Sequence, residues 1–383
     1  MIIIKTKPDP AGGVKNIHKV KLRNFAAFFI VVFSGYYITK LPLSPIYLTI
    51  LIGYLFYCLS VLYSMKIHLV PIVALPLLGF LYTLFSQPFF KPVPSALVGV
   101  LLSYIIFLIT ILIIENLCQN FKTRLAEKLV FYSISLLLVE AIYRISFPTE
   151  HEYMEFYRFK ENSIMYQDSN FVGIFILTLL FFLKYIQSKT NKKYKFTTVL
   201  LFILLLATMS RASIISLLIL LPLYYKRHFF YKNRIALAIS SPLIALFLYI
   251  LLYHLKSIDV SFGTKFTIIE ESVTYLMHAD LINILFGVGL GNTKEVIGIG
   301  AHNYFITFLL ECGVLGCIIQ FSALIYIAIK SNWKGFIVLV PFLTNGMSLA
   351  SGSSPWLWVM LALIYSIECN PITNYKRVQS DTE

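Results

Sequence analysis

Residues 93–114 read VPSALVGVLLSYIIFLITILII, a run that contains no charged side chain. Its length suits one helical crossing of a hydrocarbon core about 30 Å thick. Similar runs recur along the 383-residue chain, which is 58% hydrophobic and 13% charged. A soluble domain is about half apolar and a quarter charged, and a transmembrane β-barrel would show alternating segments of about ten residues. The sequence therefore predicts an all-α, polytopic transmembrane helix bundle.

Charge supports a bundle of about twelve spans in a single transmembrane domain, residues 1–383. With the amino terminus in the cytoplasm, the cytoplasmic segments hold 23 Lys and Arg against 6 Asp and Glu, and the opposite side holds 7 against 10. Both termini are then cytoplasmic, and the net charge of +14 is expected to face anionic lipid rather than nucleic acid. The predicted spans are 24–39, 42–64, 68–85, 94–115, 129–147, 169–187, 196–210, 211–225, 235–254, 303–329, 335–350 and 354–368.

The segment 196–225 is long enough for one helix or two. Its flanks, KTNKKYK and KRHFFYKNR, are both strongly basic, so both are expected in the cytoplasm. We therefore predict a short hairpin with Ser210 and Arg211 at its tip near the outer face. A re-entrant pair buried among other helices is equally compatible with these lengths.

Two external segments, 148–168 and 255–301, are longer than ordinary connections. Both are rich in aromatic and apolar residues, which makes disorder a poor explanation. Chemistry, if the chain performs any, is expected on this face, in periplasmic loops.

Several classes of protein are disfavoured by what the sequence lacks. The five cysteines are scattered, with no CxxC spacing, so neither a disulfide framework nor a zinc site is expected. There is no Walker sequence, DxD cluster or HExxH motif. Residues 1–23 carry six basic side chains and precede a run without a cleavage site, so we expect a retained first span rather than a signal peptide.

Charged and polar residues at the outer ends of the spans are the candidates for chemistry. His302 precedes the tenth span, where an imidazole could act as a general base or only bond a helix end. Asn303 could orient it but is better placed as a helix cap. Arg211 is costly near hydrocarbon and suits phosphate oxygens, with snorkelling to the surface as the alternative. Arg144 lies four residues after Glu140, the favourable order for a structural ion pair.

Three weaker candidates follow from position alone. Glu311 is an intramembrane carboxylate, either functional or a neutral or paired structural group. Arg158 lies among aromatic residues in the first long loop, a composition that suits sugars. The segment FGVGLGN, 286–292, could turn backbone amides toward a phosphate.

The stretch HNYFITFLLECGVLG, 302–316, resembles the H-[NSQ]-x9-G-x-x-G pattern of the bacterial O-antigen ligase and O-antigen polymerase superfamily. MYQDSNFVG resembles the family's D-P-N stretch, with Ser169 in place of proline. MSRAS resembles its Ser-Arg turn, and GVGLGN its Gly-rich segment. These features cover residues 158 to 316, a little under half of the chain.

The resemblance implies a GT-C-like inner-membrane glycosyltransferase that uses glycans carried on undecaprenyl diphosphate. It assigns His302 to activation of the acceptor hydroxyl and Arg211 to the diphosphate. Arg158, Asn303 and Asn170 would contact diphosphate or sugar, and Lys265 would replace an arginine of many relatives without its fork geometry. Such a scheme requires no metal or cofactor. The implied partners are lipid-linked oligosaccharides, membrane lipids and a polysaccharide chain-length regulator.

Within this family the polymerase is favoured over the ligase. Ligases often have Arg-x-x-x-Leu where this chain has Arg211 followed by Ile215. Two long external loops also suit the binding of a donor chain and a lipid-linked acceptor together. The alternatives are a ligase, which transfers the glycan to the lipid A core, and a non-enzymatic flippase or transporter, for which we find no internal inverted repeat.

Overall fold

The structure of the chain is a computed structural model. The residues that it describes are 12–33, 36, 38–41, 44–62, 71–115, 117–149, 157–166, 168–225, 260–300, 302–349 and 354–369. Within these ranges the chain is helical and forms no β-strand.

Fourteen α-helices lie within the described ranges, here numbered α1 to α14. They are α1 Gly12–Phe33, α2 Pro45–Leu62, α3 Ala74–Ser86, α4 Pro94–Ile114, α5 Gln119–Ser146, α6 Ser169–Thr190, α7 Lys195–Ala207, α8 Arg211–Tyr225, α9 Val260–His278, α10 Leu281–Phe286, α11 Thr293–Ile297, α12 Tyr304–Lys330, α13 Phe336–Gly346 and α14 Pro355–Glu368. Two 3₁₀ turns, Pro71–Val73 and Gln87–Phe90, extend α3 at both ends.

Among the described residues, four helical segments are long and apolar enough to cross a membrane: Pro71–Phe90, Pro94–Ile114, Ser169–Thr190 and Tyr304–Lys330. This agrees with the predicted class of helical membrane protein. Eleven of the predicted spans coincide with described helices, while 235–254 lies outside the described residues. The number of twelve spans stays a prediction.

Local sequence explains where the central helices begin and end. Pro94 and Pro355 occupy the first turns of α4 and α14, where the missing N–H costs nothing. Asp168 caps α6 with its carboxylate, and Asn191 ends that helix in the left-handed conformation. Helices α6 and α14 are buried along almost their whole length, so they form the centre of the bundle.

The bundle has two chemically different ends. At one, the basic end, Lys189 pairs with Glu368 at 2.7 Å and Lys122 donates to the carbonyl oxygens of Glu115 and Ser366. At the other, the loop end, lie residues 157–166 and 260–300. Helices α5, α7 and α13 end there, and α6, α8 and α12 begin there.

The second long loop of the sequence is largely helical, since α9, α10 and α11 occupy most of 260–300. A small satellite core of Ile268, Ile297 and Leu310 joins it to α12. The loop therefore folds as a packed cap on the loop end.

Candidate functional site at the loop end

The buried guanidinium of Arg144 organises the first external segment. It donates to Glu140 Oε1 at 2.8 Å, to the carbonyl oxygen of Phe159 at 2.6 Å and to that of Ala207 at 3.0 Å. The predicted ion pair with Glu140 is confirmed, and its role is structural. The same side chain ties α5 to residues 157–166 and to the end of α7.

Lys160 follows Phe159, whose carbonyl oxygen accepts from Arg144. Its side chain is only 8% exposed. Burial lowers the pKa of its ammonium group, the nearby carboxylate of Asp168 opposes that shift, and Arg211 and Arg144 add to it. Lys160, Arg211 and Arg144 thus bring three positive charges together against two carboxylates, of which Glu140 pairs with Arg144 and Asp168 caps α6. Such a surplus of positive charge suits an anionic ligand.

The start of α6 is held to both neighbouring segments. Ser169 donates from its backbone to the carbonyl oxygen of Lys160 at 3.0 Å and from its hydroxyl to that of Thr208 at 2.8 Å. Asn170 is half-buried and donates from its backbone N–H to Asp168 Oδ1 at 2.8 Å and from its amide to Oδ2 at 3.2 Å. Asn170 therefore supports the cap of α6, and its assignment to a ligand stays a prediction.

Arg211 is exposed at the first position of α8. The preceding helix ends at Ala207, and Met209 turns the chain with a φ of 53°. The predicted break of 196–225 into two helices is therefore confirmed, with Arg211 at the loop end.

A buried polar contact joins α8 to α13. Ser210 and Ser213 share a hydrogen bond of 3.0 Å, and Asn345 donates to Ser213 Oγ at 2.7 Å. A Cβ atom added to Gly173 of α6 would lie 2.5 Å from that oxygen. Three helices thus meet closely beside Arg211.

Asn303 joins the start of α12 to the end of α13. Asn303 caps α12 by accepting from the amides of Phe305 and Ile306 at 3.0 and 3.1 Å, as predicted. It also donates to the carbonyl oxygen of Met347 at 2.9 Å. His302 precedes it with an exposed side chain.

Lys265 reaches the same place from α9. Its ammonium group donates to Ser348 Oγ, and Ser348 in turn donates from its backbone to the carbonyl oxygen of Asn345 at 2.9 Å. Residues 345–348 at the end of α13 are therefore bonded by Ser213, Asn303 and Lys265. Arg211 and His302 are close neighbours of the first two in the sequence.

Arg158 is less well integrated. It is exposed, and its guanidinium carbon lies 5.4 Å from the centre of the Phe159 ring. Its carbonyl oxygen accepts from the backbone of Thr149 at 2.8 Å. These contacts order the backbone of the loop and leave the predicted role of the side chain without further support.

Helix α12 is broken at Gly313, which has a φ of 67° and a ψ of −175°. The predicted span 303–329 is therefore not one continuous helix. The break frees three carbonyl groups from the helix ladder. Those of Leu310 and Glu311 accept from Val288 and Gly289 at 2.9 and 3.1 Å, and the third, of Cys312, accepts from Tyr82 at 2.6 Å.

The Gly-rich segment 287–292 fills this break. A Cβ atom on Gly287 would lie 2.3 Å from the backbone of Glu311. The backbone amides of Gly291 and Thr293 bond the carboxylate of Glu311, and the hydroxyl of Thr293 donates to it at 2.7 Å. The segment does bind an anion, but this anion is a side chain of the chain itself.

The remaining amides of the segment are also satisfied by the protein. Gly287 and Asn292 donate to the carbonyl oxygens of Asn283 and Gly289, and Leu290 donates to the buried side chain of Gln87 at 3.1 Å. We therefore discard the interpretation of 287–292 as a phosphate cradle, and Glu311 is a structural residue.

Two residues of the site were missed in the sequence. In the sequence, Lys160 looks like any basic residue of a charged loop, and only its burial in the structure distinguishes it from the others. Asn345 could have been recognised in the sequence, because burying an amide side chain inside the apolar helix FIVLVPFLTNG is energetically unfavourable unless the amide has a hydrogen-bond partner.

No protein-family model matches the chain, and no match was found among curated proteins. The fold and these contacts define an all-helical membrane protein with a polar cluster at one end of its bundle. The chemistry of that cluster is the ground for the proposal that follows.

Proposed function

We propose that the chain is an O-antigen polymerase of a bacterial inner membrane, with the loop end on the periplasmic face and both termini in the cytoplasm. The enzyme transfers a growing glycan from undecaprenyl diphosphate to a lipid-linked repeat unit. One observation carries the proposal: His302 and Arg211 are 91 residues apart in the sequence, yet Asn303, next to His302, and Ser213, two residues after Arg211, both bond the end of α13.

The reaction needs little from the protein beyond a base and cations. The acceptor hydroxyl oxygen forms a bond to the anomeric carbon of the donor sugar, and its proton passes to His302. The bond from that carbon to the diphosphate oxygen breaks, and undecaprenyl diphosphate leaves with the electron pair. Arg211 stabilises the charge that develops on the diphosphate, because its fork of donors matches phosphate oxygens.

Lys160 and Lys265 supplement this arrangement. Lys160 adds positive charge behind Arg211, while Lys265 and Asn303 fix the end of α13 that separates the base from the cation. Ile215, one turn after Arg211, departs from the Arg-x-x-x-Leu pattern of ligases and favours the polymerase.

Deletion of the gene in the source bacterium tests the proposal through the surface glycan. Loss of a polymerase leaves a lipid A core that bears one repeat unit, whereas loss of a ligase leaves bare core, and loss of a flippase leaves repeat units on the inner leaflet. Complementation with His302→Ala should fail to restore long chains, because a positioned base contributes about 10²- to 10⁴-fold. The matched control is His278→Ala, which removes an exposed histidine at the end of α9. Full-length glycan with His302→Ala at normal protein level contradicts the assignment of the base.

A further inference from the structure

A second site lies at the basic end, far from the candidate active site. The end of α6, residues 191–194 and the adjoining ends of α7 and α8 enclose an open cavity of about 660 Å³. Four lysines line it: Lys184, Lys192, Lys193 and Lys195.

The positive charge of this cavity is only partly neutralised. Glu127 of α5 accepts from Lys192 at 2.7 Å and from Tyr194 at 2.5 Å. Among the described residues, no carboxylate forms an ion pair with the other three lysines. The chain has no Asp or Glu between Asp168 and Asp259, so a carboxylate can reach these lysines only from another part of the chain, as Glu127 does for Lys192. The first turn of α7, whose amides point into the same region, also lacks an acidic residue.

The walls of the cavity are apolar where they meet the sides of the bundle. Val199 and Tyr225 line it and are 56% and 61% exposed. Ile203 lies one turn after Val199 on the same face of α7, and its side chain is 55% exposed. A ligand that fits both parts carries a negative head and an apolar tail.

We propose that this cavity binds the headgroup of an anionic phospholipid, with Lys193 and Lys195 on the phosphate and the acyl chains along α7. Basic pockets between transmembrane helices suit such headgroups. A free phosphate offers the same negative charge but makes no use of the apolar wall. This site is independent of the proposed glycan transfer.

Native mass spectrometry of the full-length protein in detergent tests the proposal. Phosphatidylglycerol and phosphatidylcholine with identical acyl chains are titrated against the wild type and against Lys193→Gln/Lys195→Gln. The matched control is Lys330→Gln/Lys334→Gln, which removes the same charge at the same end of the bundle outside the cavity. A third arm adds inorganic phosphate as a competitor.

We expect the wild type to retain phosphatidylglycerol about tenfold better than phosphatidylcholine and the cavity variant to lose about tenfold in that retention. The control variant should bind as the wild type does. Equal retention by the cavity variant, or no preference of the wild type for the anionic lipid, overturns the proposal. Displacement of the lipid by inorganic phosphate at equal concentration overturns the choice of a lipid. If the double variant is not recovered folded, Lys193→Gln and Lys195→Gln are measured singly, and about threefold is expected for each.

Discussion

Asn345 donates a hydrogen bond of 2.7 Å to Ser213 across the interface of α13 and α8. Both residues are buried, and each is adjacent to the candidate chemistry: Ser213 lies two residues after Arg211, and Asn345 two residues before the carbonyl group that Asn303 binds. Together with the bond from Asn303 to Met347, the bond between Asn345 and Ser213 connects α8, which begins at Arg211, through α13 to the start of α12 beside His302.

Arg211→Lys should reduce the initial rate of chain elongation by about tenfold, because an ammonium group cannot bond two phosphate oxygens in parallel. Arg211→Ala should lose about 10²-fold. The rate is measured with protein in proteoliposomes and lipid-linked repeat units. Arg124→Lys, at an exposed site near the basic end, is the control and should leave the rate unchanged. A wild-type rate in Arg211→Lys would exclude bidentate binding.

Lys160→Met should stabilise the protein by about 1 kcal/mol while it lowers activity, since a buried charge is removed. Burial lowers the pKa of Lys160 in the folded protein, Asp168 opposes this shift, and Arg211 and Arg144 add to it. Lys160 therefore keeps its proton to higher pH in the unfolded chain than in the folded protein. Wild-type stability should therefore rise with pH in the alkaline range below 10.5.

Thermal unfolding in detergent at several pH values measures this rise of stability with pH, and the rise should be absent in Lys160→Met. Lys294→Met, at an exposed lysine of the cap, serves for comparison and should follow the wild type. Parallel curves for the wild type and Lys160→Met would mean that Lys160 is not buried as a cation.

Arg144→Met should destabilise the protein by about 3–5 kcal/mol, because it leaves the Glu140 carboxylate buried without its partner. It also removes the donors to the carbonyl groups of Phe159 and Ala207. Arg124→Met, in the same helix but exposed, should change little. Thermal unfolding of both variants provides the measurement, and similar melting temperatures would disprove the structural role.

Gly313→Ala should cost about 3 kcal/mol or more, because a φ of 67° with a ψ of −175° is a conformation that only glycine adopts readily and because the added Cβ overlaps its neighbours. The added Cβ would lie 2.4 Å from the backbone of Leu285. Gly298→Ala is the control for a positive φ without overlap, because its φ is 73° with a ψ of −15° and nothing lies within 4 Å of an added Cβ. Hydrogen exchange of 285–293 should increase in the first variant alone; equal exchange in both would show that the overlap is relieved elsewhere.

Short-range features of the structure could be predicted from the sequence. The apolar runs predict most helices, the four-residue spacing predicts the pair of Arg144 with Glu140, and Asn303 before an apolar run predicts a cap. The hairpin at Ser210 followed from charge alone. Each of these depends on neighbours in the chain or on the membrane.

Long-range pairings could not be predicted in this way. Lys160 is distinguished by its burial and by the charge of Arg211, about 50 residues further along the chain, and Glu311 by amides about 20 residues upstream. Glycine patterns are ambiguous for the same reason: a segment that can surround a phosphate can equally surround a carboxylate, and only the position of Glu311 decides between them.

The discontinuity of α12 at Gly313 has a consequence for engineering. Residues 285–293 hold the end of the first half of α12, while the turn that follows His302 is joined to the apolar half: Tyr304 accepts a hydrogen bond from Gln320 at 2.9 Å, and the ring of Phe305 stacks on that of Phe321. A chimaera that exchanges only one half of α12 therefore breaks contacts of the histidine turn, and both halves must be transplanted together with residues 285–293.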